Sequence, residues 1–163
     1  LISMLAVKLT SKGPVFFKQT RIGAKETPFT LLKLRTMQMG SDKKGDYTQE
    51  NDPRITPIGN FLRKSRLDEL PQLFNVLLGQ MSLVGPRPMS KRDVQLFSRG
   101  IQRRRFSVRP GLACLREVSG RSTLSFDRWL ELDLQYIDEW SLWLDFKILL
   151  KIVPTVLKGD GAS

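Results

Sequence analysis

Pro71 constrains the fold more tightly than any other residue in the chain. It lies within Ser65-Arg66-Leu67-Asp68-Glu69-Leu70-Pro71-Gln72-Leu73-Phe74-Asn75-Val76-Leu77-Leu78-Gly79. A proline deep in a helix removes a backbone donor and clashes with the preceding turn, whereas in the first turn its absent N–H is not missed. The spacing therefore predicts a short helix over 71–78, with Asp68 at or near its N-cap and Gly79 just past its C-terminal end. Two adjacent carboxylates, Asp68 and Glu69, then stand at the head of that helix. One reading is ordinary helix chemistry, an Asp that caps and a Glu in the first turn. The other is a reactive pair at a positive helix end, a place that also attracts phosphate.

The same punctuation sorts the rest of the chain. Gly13-Pro14 signals a turn, Val15 to Gln19 reads as a short strand, and Ile22-Gly23 with Pro28 brackets a second turn. Phe29 to Met37 then reads as the partner strand of a hairpin. Residues 40–53 form a polar loop, expected to be mobile. Helical patterning follows over roughly 58–66, 71–78, 89–106, 125–139 and 142–157. There is no internal repeat and no low-complexity linker, and 163 residues suffice to bury a core. The expectation is one α+β domain over 1–163, mostly helical, with a small β-hairpin near the N-terminus.

Charge narrows the function classes. Lys and Arg outnumber Asp and Glu by 27 to 16, a net charge of +11, which calls for an anionic partner: nucleic acid, an acidic membrane surface or phosphorylated substrates. The chain has no histidine, so schemes needing an imidazole base or a His-ligated metal are excluded and carboxylates remain as reactive groups. Its one cysteine, Cys114, allows no internal disulfide and fits a reducing compartment. Arg99, Arg103, Arg104, Arg105 and Arg109 crowd together, either as a solvated helix face or as an anion contact.

Leu1 to Val7 is apolar but too short to span a bilayer. It reads either as the end of a membrane-buried helix that begins before Leu1 or as a frayed or core-packed helix end. Over 142–157, Asp145, Lys147 and Lys151 interrupt the apolar run, and Pro154 puts its continuity in question. That segment either lies in a membrane interface, with Trp140 and Trp143 as interfacial aromatics, or packs as a core helix. On the helix before it, Asp133 has Trp129, Leu130, Tyr136 and Ile137 as its neighbours three and four residues away. A carboxylate so surrounded needs a partner when buried, either an arginine or the Asp68-Glu69 region.

Further motifs surround the carboxylate pair. Met81-Ser82-Leu83-Val84-Gly85-Pro86-Arg87-Pro88 fixes the backbone on both sides of one arginine, as a phosphate clamp would need. Lys33-Leu34-Arg35-Thr36-Met37 and Asp52-Pro53-Arg54-Ile55-Thr56-Pro57-Ile58-Gly59 precede it. Arg109-Pro110-Gly111, Val118-Ser119-Gly120-Arg121 and Leu130-Glu131-Leu132-Asp133-Leu134-Gln135-Tyr136-Ile137 follow. Together these strings resemble the bacterial sugar transferase family, the monotopic polyprenol-phosphate phosphoglycosyl transferases, from Gly13-Pro14-Val15 to the C-terminus.

The resemblance implies a two-step reaction using Mg²⁺ at the cytoplasmic face of a bacterial inner membrane. Asp68 would be the nucleophile on the β-phosphorus of a UDP-sugar, releasing UMP. Undecaprenyl phosphate or a related polyprenol phosphate would then collect the phosphosugar from Asp68. This is the first membrane step of exopolysaccharide, capsule, O-antigen or glycoconjugate synthesis. Asp68 and Glu69 would serve catalysis and the metal, with Lys33, Arg35, Arg63, Arg87, Arg109, Arg121 and Asp133 at phosphate or substrate. An anionic membrane surface is an expected partner, nucleic acid is not, and a homo-oligomer is left open.

The sequence departs from the family pattern in two respects: the membrane helix expected ahead of Leu1 is one, and the stretch after Arg109-Pro110-Gly111 is the other. After Arg-Pro-Gly the family pattern is close to Leu/Ile-Thr-Gly-Leu/Trp-Trp/Ala-Gln-Val, where this chain has Leu112-Ala113-Cys114-Leu115-Arg116-Glu117-Val118. Cys114 for Gly and Glu117 for Gln put the substrate's identity in question. Two other classes stay in view: an inactive family member serving assembly or regulation, and a basic nucleic-acid-binding module suggested by charge alone.

Overall fold

Strand pairing starts where aromatic and β-branched residues cluster. Strand β1 (Phe16–Ile22) and strand β2 (Pro28–Leu34) form an antiparallel hairpin, with Phe16 opposite Leu34 and Ile22 opposite Pro28. The computed structural model describes residues 2–41, 52–98, 100–119 and 124–158. Residues 42–51 of the expected polar loop lie outside them, as does Arg121. Pro28 is tolerated because a strand's first residue can do without a ladder donor. β2 stops at Leu34, earlier than expected, and the chain runs on extended until Met37 bridges Ile55.

Three helices hold the hairpin. Helix α1 (Ile2–Thr10) buries Val7 against Leu34 of β2 and Leu62 of helix α2 (Pro57–Lys64). Thr56 caps α2 by accepting from the Gly59 N–H at 3.0 Å, and Pro57 occupies the first turn. Gly59 is needed where it stands, since a Cβ there would sit 2.0 Å from the Thr36 carbonyl oxygen. Helix α3 (Gln72–Leu77) is tied to the outer edge of β2 by Asn75, which is almost fully buried. Its side chain accepts from the Leu32 N–H at 3.1 Å and donates to the Thr30 carbonyl at 2.8 Å, standing in for a neighbouring strand. Gly79 follows α3 at positive φ, as the spacing predicts.

The second half is built on a parallel strand pair that sequence pattern does not reveal. Strand β3 (Ser82–Val84) lies beside strand β4 (Gly111–Ala113), with Ser82 opposite Gly111 and Val84 opposite Ala113. Three residues are too few to show a period. A Cβ on Gly111 would lie 2.1 Å from the Gly85 nitrogen, so glycine permits the approach.

The single helix expected over 89–106 is a correction. Helix α4 (Lys91–Gln95) starts in a capping box between Ser90 and Asp93, and a separate 3-10 segment covers Gly100–Ser107. The cap supplies an unforeseen start, and Gly100 weakens continuity.

Helices α5 (Leu115–Val118), α6 (Phe126–Asp138) and α7 (Leu142–Lys158) close the structure. Val84, Ala113, Tyr136 and Ile148 form their shared core. α7 runs through Pro154 unbroken. Among the described residues no helix is long and apolar enough to cross a membrane. The α+β class, the excess of helix and the hairpin near the N-terminus agree with expectation.

Candidate active site

Asp68 and Glu69 do not cap α3. They occupy their own 3-10 turn (Leu67–Glu69), closed by hydrogen bonds from the Glu69 N–H to the Arg66 carbonyl and from the Leu70 N–H to the Leu67 carbonyl. Pro71, not Asp68, is the N-cap of α3, and its short first turn pushes the carboxylates one element upstream. Arg66 enters the turn at φ +55°, in the left-handed region that non-glycine residues rarely visit.

The two acids have opposite electrostatics. Asp68 is buried, and its pKa rises to about 6, first through burial and then through Glu69 beside it; Lys33 and Arg63 oppose the rise. Glu69 is also pushed upward by burial, but Lys33, Arg87 and Arg66 outweigh that and hold it well below the usual carboxylate range. Lys33 Nζ lies 3.1 Å from Glu69 Oε1, Arg66 Nη1 3.5 Å from Oε2 and Arg87 Nη2 3.7 Å from Oε1. One carboxylate is thus a fixed anion and its neighbour is basic near neutral pH, the kind of split that separates chemical roles.

Four parts of the chain supply the cations, one of them Arg66, the residue that opens the 3-10 turn. Lys33 comes from β2, Arg63 from the last turn of α2, and Arg87 from the Pro86-Arg87-Pro88 stretch after β3. Arg63 is anchored by donating from Nε to the Thr36 hydroxyl at 2.9 Å. Arg87 is held from below by Glu117 of α5, with Nη1 2.7 Å from Oε1. Burial works against its charge, yet Glu69 and Glu117 raise its pKa further, so it stays cationic. An open cleft lies in front of Lys33, Glu69 and Arg87, lined also by Arg21, Gln72 and Leu112 among others; Asp68 and Arg63 are not among its lining residues.

Other expected site residues lie elsewhere. Arg35 is buried, and its guanidinium donates to the Lys12 and Ser11 carbonyls just past the end of α1. Helix termini leave such carbonyls unpaired, so the arginine serves the fold. Arg109 is exposed beside Gly79, past the end of α3 opposite the dyad. Asp133 pairs with Arg105 at 2.7 Å, with both side chains almost fully buried. Of the partners the sequence left open, the structure therefore selects an arginine. Burial raises the Asp133 pKa to about 6, and Arg105 and Arg116 oppose that. Arg105 also donates from Nη2 to the Arg87 carbonyl at 2.6 Å, so the pair reaches the site through the backbone of Arg87.

Arg66, Glu117, Arg21 and Gln72 were not foreseen as site residues. Adjacency to the dyad could have flagged Arg66; nothing in local spacing flags Glu117, 48 residues beyond Glu69 and brought in by the β3–β4 pairing. Cys114 is fully buried and burial drives its thiol pKa up, so it is no nucleophile.

A small α+β scaffold with a buried Asp68 beside an ion-paired Glu69, and a cleft lined by Lys33 and Arg87, suits a domain that handles phosphate-bearing ligands. Residues 1–159 match the family model described as bacterial sugar transferase, and the chain belongs to that family. It is 44% identical, over 99% of its length, to an uncharacterized sugar transferase, EpsL, of Bacillus subtilis, covering 79% of that protein. It is 44% identical over 99% of its length to the UDP-glucose:undecaprenyl-phosphate glucose-1-phosphate transferase of Caulobacter vibrioides, covering 64% of it. A protein of the same name from Escherichia coli is 44% identical over 95% of this chain, which spans only 34% of that relative. The chain thus ranges from about a third to four fifths of the length of these relatives.

Proposed function

We propose that this chain transfers a sugar 1-phosphate from a UDP-sugar to undecaprenyl phosphate, with Asp68 as nucleophile. The supporting observation is the split dyad: a carboxylate with pKa near 6 beside an anion already held by Lys33, Arg66 and Arg87. Relatives named for this reaction, with glucose or N-acetylgalactosamine as the sugar, support the substrate class.

In the first step an Asp68 carboxylate oxygen forms a bond to the β-phosphorus, and the bond from that phosphorus to the bridging oxygen breaks. UMP leaves with the bridging oxygen. In the second step an oxygen of undecaprenyl phosphate bonds to the phosphorus and the Asp68 carboxylate departs, restoring the enzyme. Covalent catalysis of this kind divides one difficult displacement into two easier ones. Because attacking group and substrate are both anionic, Lys33, Arg63 and Arg87 screen the approach and orient the phosphates. Glu69 holds Lys33 and Arg87 in register, while Thr36 holds Arg63; Glu69 stays ionised throughout.

Among the described residues no cluster of three acids could cage a metal. Mg²⁺ commonly uses one or two carboxylates plus substrate phosphates, and the dyad fits that pattern. Asp68 is the better placed ligand, since three cations already face Glu69. The ion would supply charge neutralisation at the diphosphate.

The exposed apolar faces of α3 and α7 support a membrane-surface setting for this chemistry. Helix α3 buries Gln72 and Asn75 and exposes Leu73, Phe74 and Leu77, with Leu70 and Leu78 exposed at its ends. α7 likewise exposes Leu142, Trp143, Phe146, Leu150 and Val153 while burying Ile148. Such faces suit the headgroup–acyl boundary of an anionic bilayer, on the cytoplasmic side where UDP-sugars are available.

Intact-mass analysis after mixing the protein with UDP-sugar and Mg²⁺ tests the reading. The expected result is UMP release and a sugar-phosphate adduct on Asp68, both absent in Asp68→Asn. Equal UMP release by the two proteins would refute it.

A further inference from the structure

We propose that Glu117 is a positioning residue for the transfer, holding Arg87, with Arg66 bracing the same oxygen, in the orientation in which Arg87 meets substrate phosphate. The inference deepens the function proposed above and rests on it. Both guanidiniums converge on the same Glu117 oxygen, Oε1: Arg87 Nη1 at 2.7 Å and Arg66 Nη1 at 3.0 Å. Both also reach Glu69, at 3.7 Å and 3.5 Å. The four side chains close a ring of alternating charge, Glu69–Arg66–Glu117–Arg87, drawn from three separate parts of the chain.

The ring has a front and a back. Arg87 and Glu69 line the cleft, whereas Glu117 is 5% exposed and not among its lining residues. Glu117 therefore does not occupy the place of a phosphate; it braces Arg87 from behind while the front stays open. The Arg87 backbone is already fixed by Pro86, Pro88 and the hydrogen bond from Arg105. What freedom remains belongs to the side chain, and Glu117 removes it. On the other side of the ring, the left-handed backbone of Arg66 aims its guanidinium at the same oxygen.

Since one oxygen receives both arginines, the proposal separates geometry from charge. Glu117→Gln keeps an acceptor oxygen at that position without the charge. Glu117→Asp keeps the charge but withdraws the oxygen by one methylene. Glu117→Met fills similar volume with no acceptor of comparable strength. Two readouts are taken: the affinity for inorganic pyrophosphate by calorimetry, and kcat and KM for UDP-sugar.

The expected result is that Glu117→Gln stays within about threefold of wild type, while Asp and Met weaken pyrophosphate binding and raise KM by about 10- to 100-fold, as misplacement by about an ångström does. Thermal midpoints establish that the compared variants are folded; if Asp is not, Met carries the comparison. Wild-type affinity in Asp and Met, a Gln variant as impaired as they are, or no pyrophosphate binding by wild type overturns the proposal. Should wild type bind pyrophosphate yet release no UMP, the functional reading fails while the binding arm still judges Glu117.

Discussion

Asp68 and Asp133 are both buried carboxylates with pKa values raised to about 6, and they sit in opposite kinds of surroundings. Asp133 is sealed against Arg105 at 2.7 Å, with Trp129 and Phe106 flanking that guanidinium at 5.5 and 5.6 Å. Asp68 is also buried, but it has cations near it on β2 and α2 and, next to it, the anion Glu69, which lines an open cleft. The lesson is that a displaced pKa does not by itself mark a reactive group. Asp133 is locked in a buried ion pair, whereas Asp68 is balanced between burial and Glu69 on one side and Lys33 and Arg63 on the other.

Substitutions should break that comparison cleanly. The largest effect belongs to Asp68→Asn, which removes the nucleophile: phosphosugar adduct should vanish and UMP release should fall by about 10³-fold or more, read by intact mass and by nucleotide chromatography. Next comes Asp133→Ala, which strands Arg105 in the interior and should cost about 3–5 kcal/mol in chemical denaturation.

Asp68→Asn should do the reverse to stability. The folded-state pKa of Asp68 lies above its unfolded value, so its contribution favours the fold below about pH 4 and is lost as pH rises through about 6. At pH 8 the neutral side chain should therefore stabilise the protein by up to about 3 kcal/mol. If Asp68→Asn and Asp133→Ala lowered stability alike, the contrast between buried ion pair and reactive group would be lost. The smallest effect is expected at the surface: Arg103→Ala breaks an exposed pair with Glu26 and should change stability by less than about 1 kcal/mol.

How much of this was legible in the sequence depended on range. The hairpin and the helices near 58–66, 125–139 and 142–157 follow from local period and turn chemistry, and the structure has them within a few residues. Asp68 and Glu69 were visible because they are adjacent and lie just before Pro71. Their 3-10 turn was not, because it depends on the left-handed conformation of Arg66, which no residue preference announces. Arg35 shows where motif reading stops, because a basic motif residue looks the same whether it serves phosphate or the carbonyls that follow α1. Glu117 stood out only as a departure from a pattern. Its contact with Arg87 depends on a parallel pairing between two strands of three residues each, which leaves no periodic trace.

The face of α3 teaches the same point. Its apolar residues look like a core stripe in sequence, but the fold buries Gln72 and Asn75 instead and turns Leu73, Phe74 and Leu77 outward. Asn75 earns its interior place by pairing with the backbone of β2 on two sides, which a leucine could not do.

The pH dependence of adduct formation in a single turnover examines the central claim most directly. A nucleophilic Asp68 beside a permanently ionised Glu69 predicts a rate that is half-maximal near pH 6 and falls about tenfold per unit below it. A rate that stays level from pH 7 down to pH 4, or an adduct that maps to any other side chain, would contradict it.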